Sequence, residues 1–240
     1  MALYAFDGTW CNTDKPPYTN VGKFVILFEG KPGTKEKKNI YQTGVGNRYG
    51  WAGKYVGGAA GKGAMQRATE AFEMLKDTYY RDPEISIVGF SRGAATCFLF
   101  LQLIEERHTE ILGFDNRALN SEPTVKFLGL FDTVSMFSSR AEKEIYDPCV
   151  PDFVENTFHA MALDEPNRMF PLDRCRGNTS RISEVWFRGG HADIGGSVSR
   201  HRRRGRSLMI RARKDGDGNT RSNIAFRWMV EKAVQCGVPL

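Results

Sequence analysis

Apolar residues fall along the chain in short blocks, and the spacing inside each block separates strands from helices. Residues 3–6 (Leu-Tyr-Ala-Phe), 84–88 (Glu-Ile-Ser-Ile-Val), 125–131 (Val-Lys-Phe-Leu-Gly-Leu-Phe) and 182–188 (Ile-Ser-Glu-Val-Trp-Phe-Arg) are of strand length and bounded by polar turn formers. Runs of that kind, with little polar alternation, are what a sheet covered on both faces requires. Residues 39–43 make a shorter candidate of the same type, and residues 208–213 another. Helical spacing shows in residues 64–80, where Met65, Ala68, Phe72, Leu75 and Tyr79 share one face. The block from Ala94 to about Arg107 opens with eleven residues free of Gly and Pro and is long enough for a buried helix. Residues 223–235 predict a last helix, capped by Ser222 and stopped by Gly237 and Pro239. Residues 21–29 fit either a helix or a strand, and residues 108–124 a loop with a short element. Residues 135–180, with Pro148, Pro151, Pro166 and Pro171, are expected to form an insertion or cap over the sheet, with one helix around 154–163. Strands alternate with helices and no repeat is present. The expected fold is therefore α/β: a three-layer α/β/α sandwich on a mostly parallel sheet, one domain over 1–240.

Composition narrows the class without naming a function. At 240 residues, 41% hydrophobic and 26% charged, the chain is large enough for a substantial core and ordinary for a globular protein. No apolar run reaches the length of a membrane span, and the first residues meet Asp7 without a basic stretch, unlike a signal peptide. The expectation is a protein cytoplasmic as synthesised. Cys11, Cys97, Cys149, Cys175 and Cys236 are odd in number and widely spaced, which argues for reduced thiols and against a disulfide framework or zinc site. The net charge of 34 − 28 = +6 is partly local, in Arg200-His201-Arg202-Arg203-Arg204-Gly205-Arg206. This basic insertion, residues 200–221, reads as a solvated loop or as a peripheral contact for an anionic membrane surface. No aromatic residue interleaves the run, which disfavours nucleic acid.

The chemistry begins at Gly89-Phe90-Ser91-Arg92-Gly93, a G-x-S-x-G between a strand and an apolar helix. A nucleophile elbow needs that context, because the serine must project from a sharp turn out of the sheet. The competing reading is Ser91 as an ordinary helix N-cap. Asp132 ends the strand 125–131, and His191 follows the strand 182–188 in the glycine-rich Gly189-Gly190-His191-Ala192-Asp193-Ile194-Gly195-Gly196. The order Ser91, Asp132, His191 is that of the α/β-hydrolase triad. His191 is expected to take the proton of Ser91, and Asp132 to hold the imidazole tautomer. The oxyanion donors are expected from Arg92, directly after the nucleophile, and from Gly8 or Thr9 after the first strand. Asp193 competes with Asp132 for the acid role, but lies only two residues from His191 and is better suited to bonding loop backbone. A metal-dependent hydrolase built on Asp7, His191 and Asp193 is the other catalytic alternative. His108, His159 and His201 are read as surface or incidental. The glycine-rich residues 44–63 lack the spacing of a phosphate-binding loop and read as a mobile loop near a site entrance. Residues 214–219 mimic a calcium loop, but the twelfth position counted from Asp215 is Phe226, so they read as a turn. No cofactor is called for.

Several motifs together resemble a known family. They are Phe6-Asp7-Gly8-Thr9-Trp10-Cys11-Asn12, Tyr41-Gln42-Thr43-Gly44-Val45-Gly46, Gly89 to Ala94 as above, Leu128-Gly129-Leu130-Phe131-Asp132-Thr133-Val134, Ala162-Leu163-Asp164-Glu165, and Val185-Trp186-Phe187-Arg188 running into Gly189 to Gly196. The combination is similar to the uncharacterised-domain family that includes type VI secretion phospholipase effectors, and the late Arg227-Trp228-Met229 helix fits it too. The resemblance implies an α/β-hydrolase fold, the triad Ser91, Asp132 and His191, and hydrolysis of glycerophospholipid acyl esters. It also implies export by a signal-independent secretion system and a cognate immunity protein. The chain departs from the pattern in its basic insertion, and it is expected to lack the membrane-anchoring region of larger effectors.

The expected function is a serine ester hydrolase of lipase or phospholipase type, acting on a lipid or small ester substrate. The alternative from another class is a non-catalytic α/β-hydrolase-like module that binds an anionic partner through its basic segment.

Overall fold

The computed structural model describes residues 1–9, 11, 18–29, 39–44, 62–79, 83–112, 123–137, 140–168, 170–196, 199–203, 206–210 and 221–240. The charged residues 31–38, the body of the glycine-rich stretch at 45–61 and the segment 214–219, expected as a turn, lie outside the described residues. In chain order the elements are β1 Ala2–Phe6, α1 Asn20–Glu29, β2 Asn39–Gln42, α2 Lys62–Thr78, β3 Glu84–Phe90, α3 Arg92–Glu106, α4 His108–Leu112, β4 Thr124–Phe131, α5 Arg140–Ile145, β5 Cys149–Val150, β6 Thr157–Ala162, β7 Arg176–Gly177, β8 Ile182–Phe187, α6 His191–Gly195, β9 Ser199–Arg203, β10 Arg206–Ile210 and α7 Arg221–Gln235.

Six strands form one sheet in the order β2-β1-β3-β4-β6-β8, every pair parallel. Both faces of such a sheet must be covered, and β1 shows how a five-residue strand does it. Tyr4 and Phe6 face one core layer, with Phe72 of α2 and Phe98 and Phe100 of α3. Leu3 and Ala5 face the other, with Phe24 of α1, Ile194 of α6 and Met229 of α7. The side-chain period of two is intact, but both sets are apolar, so the strand carries no polar alternation. The result is a three-layer α/β/α sandwich of α/β-hydrolase type.

The register brings the strand ends level. Phe6 pairs with Gly89, Phe90 with Phe131, and Phe131 with Ala160. Asp7, Ser91 and Asp132 therefore leave the sheet side by side at its C-terminal edge. The connection from β1 runs outward to β2, whereas that from β3 runs the opposite way to β4. The crevice between β1 and β3 is thus a topological switch point, where open α/β sheets carry their sites.

Two expectations are corrected. Residues 154–163 do not form a helix: Thr157–Ala162 is a central strand, paired with β4 on one side and β8 on the other. Ala160, Met161 and Ala162 have good helix propensity, but a slot buried between two strands overrides it. In consequence the stretch 135–180 is not wholly an insertion over the sheet, because its middle is part of the sheet. The basic run is also more ordered than a plain loop, since β9 and β10 pair as an antiparallel hairpin with Arg203 opposite Arg206.

Candidate active site

Ser91 occupies the turn between β3 and α3 with φ 56° and ψ −125°, a conformation only glycine adopts freely. The turn is pinned on both sides. Ser91 N–H donates to Phe131 O at 3.0 Å, and its carbonyl accepts from Ala95 N–H at 3.1 Å. The flanking glycines permit the tight approach. A Cβ at Gly93 would stand 2.1 Å from the Phe6 carbonyl oxygen, and one at Gly89 2.5 Å from Cys97 Sγ. The Ser91 side chain makes no capping bond to α3. The N-cap reading therefore fails, and the hydroxyl is turned elsewhere.

It is turned to His191. Ser91 Oγ lies 2.8 Å from His191 Nε2, and His191 Nδ1 lies 2.6 Å from Asp132 Oδ2. The second carboxylate oxygen, Oδ1, accepts the N–H of Ala162 at 2.7 Å. Asp132 itself sits at φ 43°, where short polar side chains are tolerated, and its N–H donates to Ala160 O at 2.8 Å. The acid can only accept, so the Nδ1 proton of His191 points at Asp132 and the Nε2 lone pair points at the serine hydroxyl. All three residues are under a tenth exposed.

His191 begins the short helix α6, and the segment after β6 holds it from two directions. Glu165 Oε2 accepts the His191 N–H at 2.7 Å, and Asp164 Oδ2 accepts that of Gly189 at 2.9 Å. Five residues beyond Glu165, the Phe170 ring stacks on the imidazole with centroids 4.6 Å apart and 10° between planes. Phe90 packs against it with its centroid at 4.8 Å. The ring thus has Phe170 stacked on it and Phe90 tilted against it, while its nitrogens meet Ser91 and Asp132.

The remaining sequence candidates separate clearly. Asp193 Oδ2 accepts the Gly190 N–H at 3.1 Å, so it bonds loop backbone. Asp7 is buried, and its carboxylate accepts Tyr41 O–H at 2.6 Å, Thr19 O–H at 2.8 Å and Gly8 N–H at 2.7 Å. Burial pushes the Asp7 carboxyl above its usual range, and those bonds offset the shift only in part. Asp7, His191 and Asp193 each have their own partners and do not converge as one ligand set. Arg92 is the first residue of α3, at the positive end of the helix dipole, and its Nε donates to Thr9 Oγ1. Burial lowers the pKa of this guanidinium, with Glu142 acting in the opposite sense. The link ties the elbow to the β1 loop. Gly8 N–H is committed to Asp7, which leaves Thr9 as the stronger candidate on that loop.

His159 overturns its sequence reading. It is fully buried on β6, between Glu184 and Thr133. His108 lies on the surface, with Nδ1 3.0 Å from Glu105 O. The His201 side chain lies outside the described residues. Phe170 carries no individual signal in the sequence, and Glu165 only that of the Ala162 to Glu165 motif. A signal for His159 existed, since an isolated histidine inside the apolar Phe158-His159-Ala160-Met161-Ala162 must find partners in a core.

A parallel sheet between helix layers, with a serine on a strand–turn–helix elbow and an acid and a histidine past later strands, defines an α/β-hydrolase architecture. The chain belongs to the family described as T6SS, phospholipase effector Tle1-like, catalytic domain, whose model matches residues 3–108 and 104–232. Among curated proteins none matches. A crystal structure of an uncharacterized protein from Pseudomonas aeruginosa superposes over 100% of this chain with a TM-score of 0.58 and 19% identity, a likeness of fold. The chain spans 46% of that protein's length. An acetyl xylan esterase aligns over 99% of this chain and 98% of its own, with 10% identity, but its TM-score of 0.34 carries no argument. No helix among the described residues is long and apolar enough to cross a membrane.

Proposed function

We propose that the protein is a serine ester hydrolase of the lipase or phospholipase type. The observation that carries this reading is the unbroken hydrogen-bonded line from Ser91 through His191 to Asp132. A serine hydroxyl is a weak nucleophile at neutral pH, and a base on its proton is what activates it. His191 Nε2 takes that proton as Ser91 Oγ attacks the ester carbonyl. The imidazolium so formed stands against the Asp132 carboxylate, which stabilises it and keeps the Nδ1 proton in place. The oxyanion develops toward the start of α3, where Arg92 N–H and Thr9 on the tethered β1 loop are the proposed donors. His191 then protonates the leaving alcohol, and an acyl-Ser91 ester remains. Water, deprotonated by the same histidine, hydrolyses it and regenerates the serine.

Family membership and the exposed apolar side chains of Met136 and Leu163, on segments that leave the sheet after β4 and β6, favour an acyl chain as the group transferred to Ser91. Phospholipid as the physiological substrate, signal-independent export and a cognate immunity protein are proposed on the strength of the family in the same way. Ser91→Ala is expected to abolish turnover of p-nitrophenyl butyrate and labelling by a fluorophosphonate probe, with the melting temperature retained. Undiminished hydrolysis by that variant refutes the assignment. The basic pair β9–β10, of which residues 204–205 lie outside the described residues, is proposed to dock the protein on anionic membrane. Binding to phosphatidylglycerol vesicles should fall with added salt and on neutralising Arg202, Arg203 and Arg204, and binding indifferent to both retires the idea.

A further inference from the structure

His159, Cys175 and Glu184 bring a ring nitrogen, a thiol and a carboxylate oxygen to within 4.8 Å of one another, a grouping with the reach of a metal site. The protons point to a different role. Thr133 N–H lies 3.3 Å from His159 Nε2, and a backbone amide can only donate. Nε2 must therefore present its lone pair, and the ring proton sits on Nδ1. There it donates to Glu184 Oε1 at 3.1 Å. A metal on Nδ1 would need the opposite tautomer, with an Nε2 proton driven against the Thr133 amide. Glu184 is moreover already occupied. Its Oε1 also accepts Cys175 N–H at 2.9 Å, and its Oε2 accepts Arg174 Nε at 2.8 Å. Burial works against the charge of Glu184, but the bonds from His159, Cys175 and Arg174 outweigh it and hold the carboxyl at about 2.

The chain of bonds runs from the edge of the sheet to the acid. Glu184 on β8 and His159 on β6 are register partners, and His159 reaches across to Thr133, the residue after Asp132. The same loop is held again where Asp173 N–H donates to Thr133 O at 2.9 Å and Ser135 N–H to Asp173 Oδ2 at 2.8 Å. Asp132 itself sits at a positive φ, and the first amide after it, that of Thr133, is held by His159. We propose that His159 is a positioning residue: anchored by Glu184, it fixes the Thr133 amide and so keeps the Asp132 carboxylate aimed at His191. This rests on the reading of Ser91, His191 and Asp132 as the reacting group.

A positioning residue that acts through Asp132 has nothing left to act through once Asp132 is disabled. The test is a double-mutant cycle in the full chain, with p-nitrophenyl butyrate as substrate. His159→Gln is expected to lower kcat by about 10- to 100-fold with KM within about twofold, the scale of a misaligned reacting group. In the Asp132→Asn background the same change should remove less than about a further twofold, because residues that act as a unit are not additive. Glu184→Gln, which keeps shape and loses charge, runs the same cycle if His159→Gln fails to fold. Equal losses in both backgrounds, or full activity of both single variants, overturn the proposal. So does a melting temperature raised by zinc and unresponsive in Cys175→Ser, which would make the cluster a metal site. Activity surviving in Ser91→Ala would instead sink the enzyme reading, so the two failures are distinguishable.

Discussion

Asp132→Asn is the sharpest test of the site, because the structure dictates which way the new amide must face. The carboxylate has two commitments: Oδ1 accepts the Ala162 N–H at 2.7 Å, and Oδ2 accepts the His191 Nδ1 proton at 2.6 Å. An asparagine has one acceptor and one donor. The Ala162 amide can only donate, so it claims the carbonyl oxygen and leaves the NH2 facing Nδ1. The imidazole must then carry its proton on Nε2, pointed at Ser91 Oγ, where a base is needed. Loss of the correct tautomer in a serine triad costs about four orders of magnitude in kcat, or about 5 kcal/mol of barrier at about 1.4 kcal/mol per decade. The fold should survive, since asparagine accepts the φ of 43° as well as aspartate does. Steady-state hydrolysis of p-nitrophenyl butyrate, paired with a thermal melt, reads both quantities. A variant within tenfold of wild type would refute the reasoning about tautomers, and a collapsed melting temperature would show that the residue serves the fold first.

Gly93→Ala should give insoluble or unfolded protein, because the added carbon meets the Phe6 and Asp7 carbonyl oxygens at 2.1 and 2.6 Å and neither is a movable side-chain end; a wild-type melting curve would contradict this. Phe170→Ala removes the ring stacked on His191 and should lower kcat by about threefold to tenfold, from a stacking contribution of about 0.5–1.5 kcal/mol; an unchanged kcat refutes that contribution. The Glu184 carboxyl is held at about 2, below its ordinary 4.5, so its ionised form stabilises the fold above about pH 4.5, and that stabilisation drains away as pH falls toward 2. The contribution is at most about 3 kcal/mol, and less for the solvent screening of its exposed partner Arg174. Glu184→Gln should therefore flatten the acid limb of the stability curve between about pH 5 and 2 in urea titrations, and a parallel loss at every pH would count against it.

The residues that sequence patterns expose best are those that punctuate an element. Ser91, Asp132 and His191 each follow an apolar strand and break its pattern, so their shared edge is legible in the sequence. That Asp132 rather than Asp193 meets the His191 ring was legible too, since Asp193 follows His191 too closely to turn back onto it. What stayed hidden lies inside elements or between them. Thr157–Ala162 is buried on both faces, so it shows no period of two, and its alanines and methionine speak for a helix. Misreading that strand hid its histidine, because a partner for His159 exists only once β8 is placed beside it. Phe170 was invisible for another reason. Its contact with His191 is set by a loop fold, and no local pattern encodes a loop's return to the sheet.

The two residues outside glycine that hold a positive φ are, among the described residues, Ser91 and Asp132. Backbone in such regions costs on the order of 1–3 kcal/mol per residue, and glycine relieves it. Random variation under selection for heat resistance alone would thus drift toward Ser91→Gly, a gain of about 1 kcal/mol obtained by deleting the proposed nucleophile. Improvement of this protein by directed evolution has to score turnover in every round, because along this axis the sturdiest descendants are the inert ones.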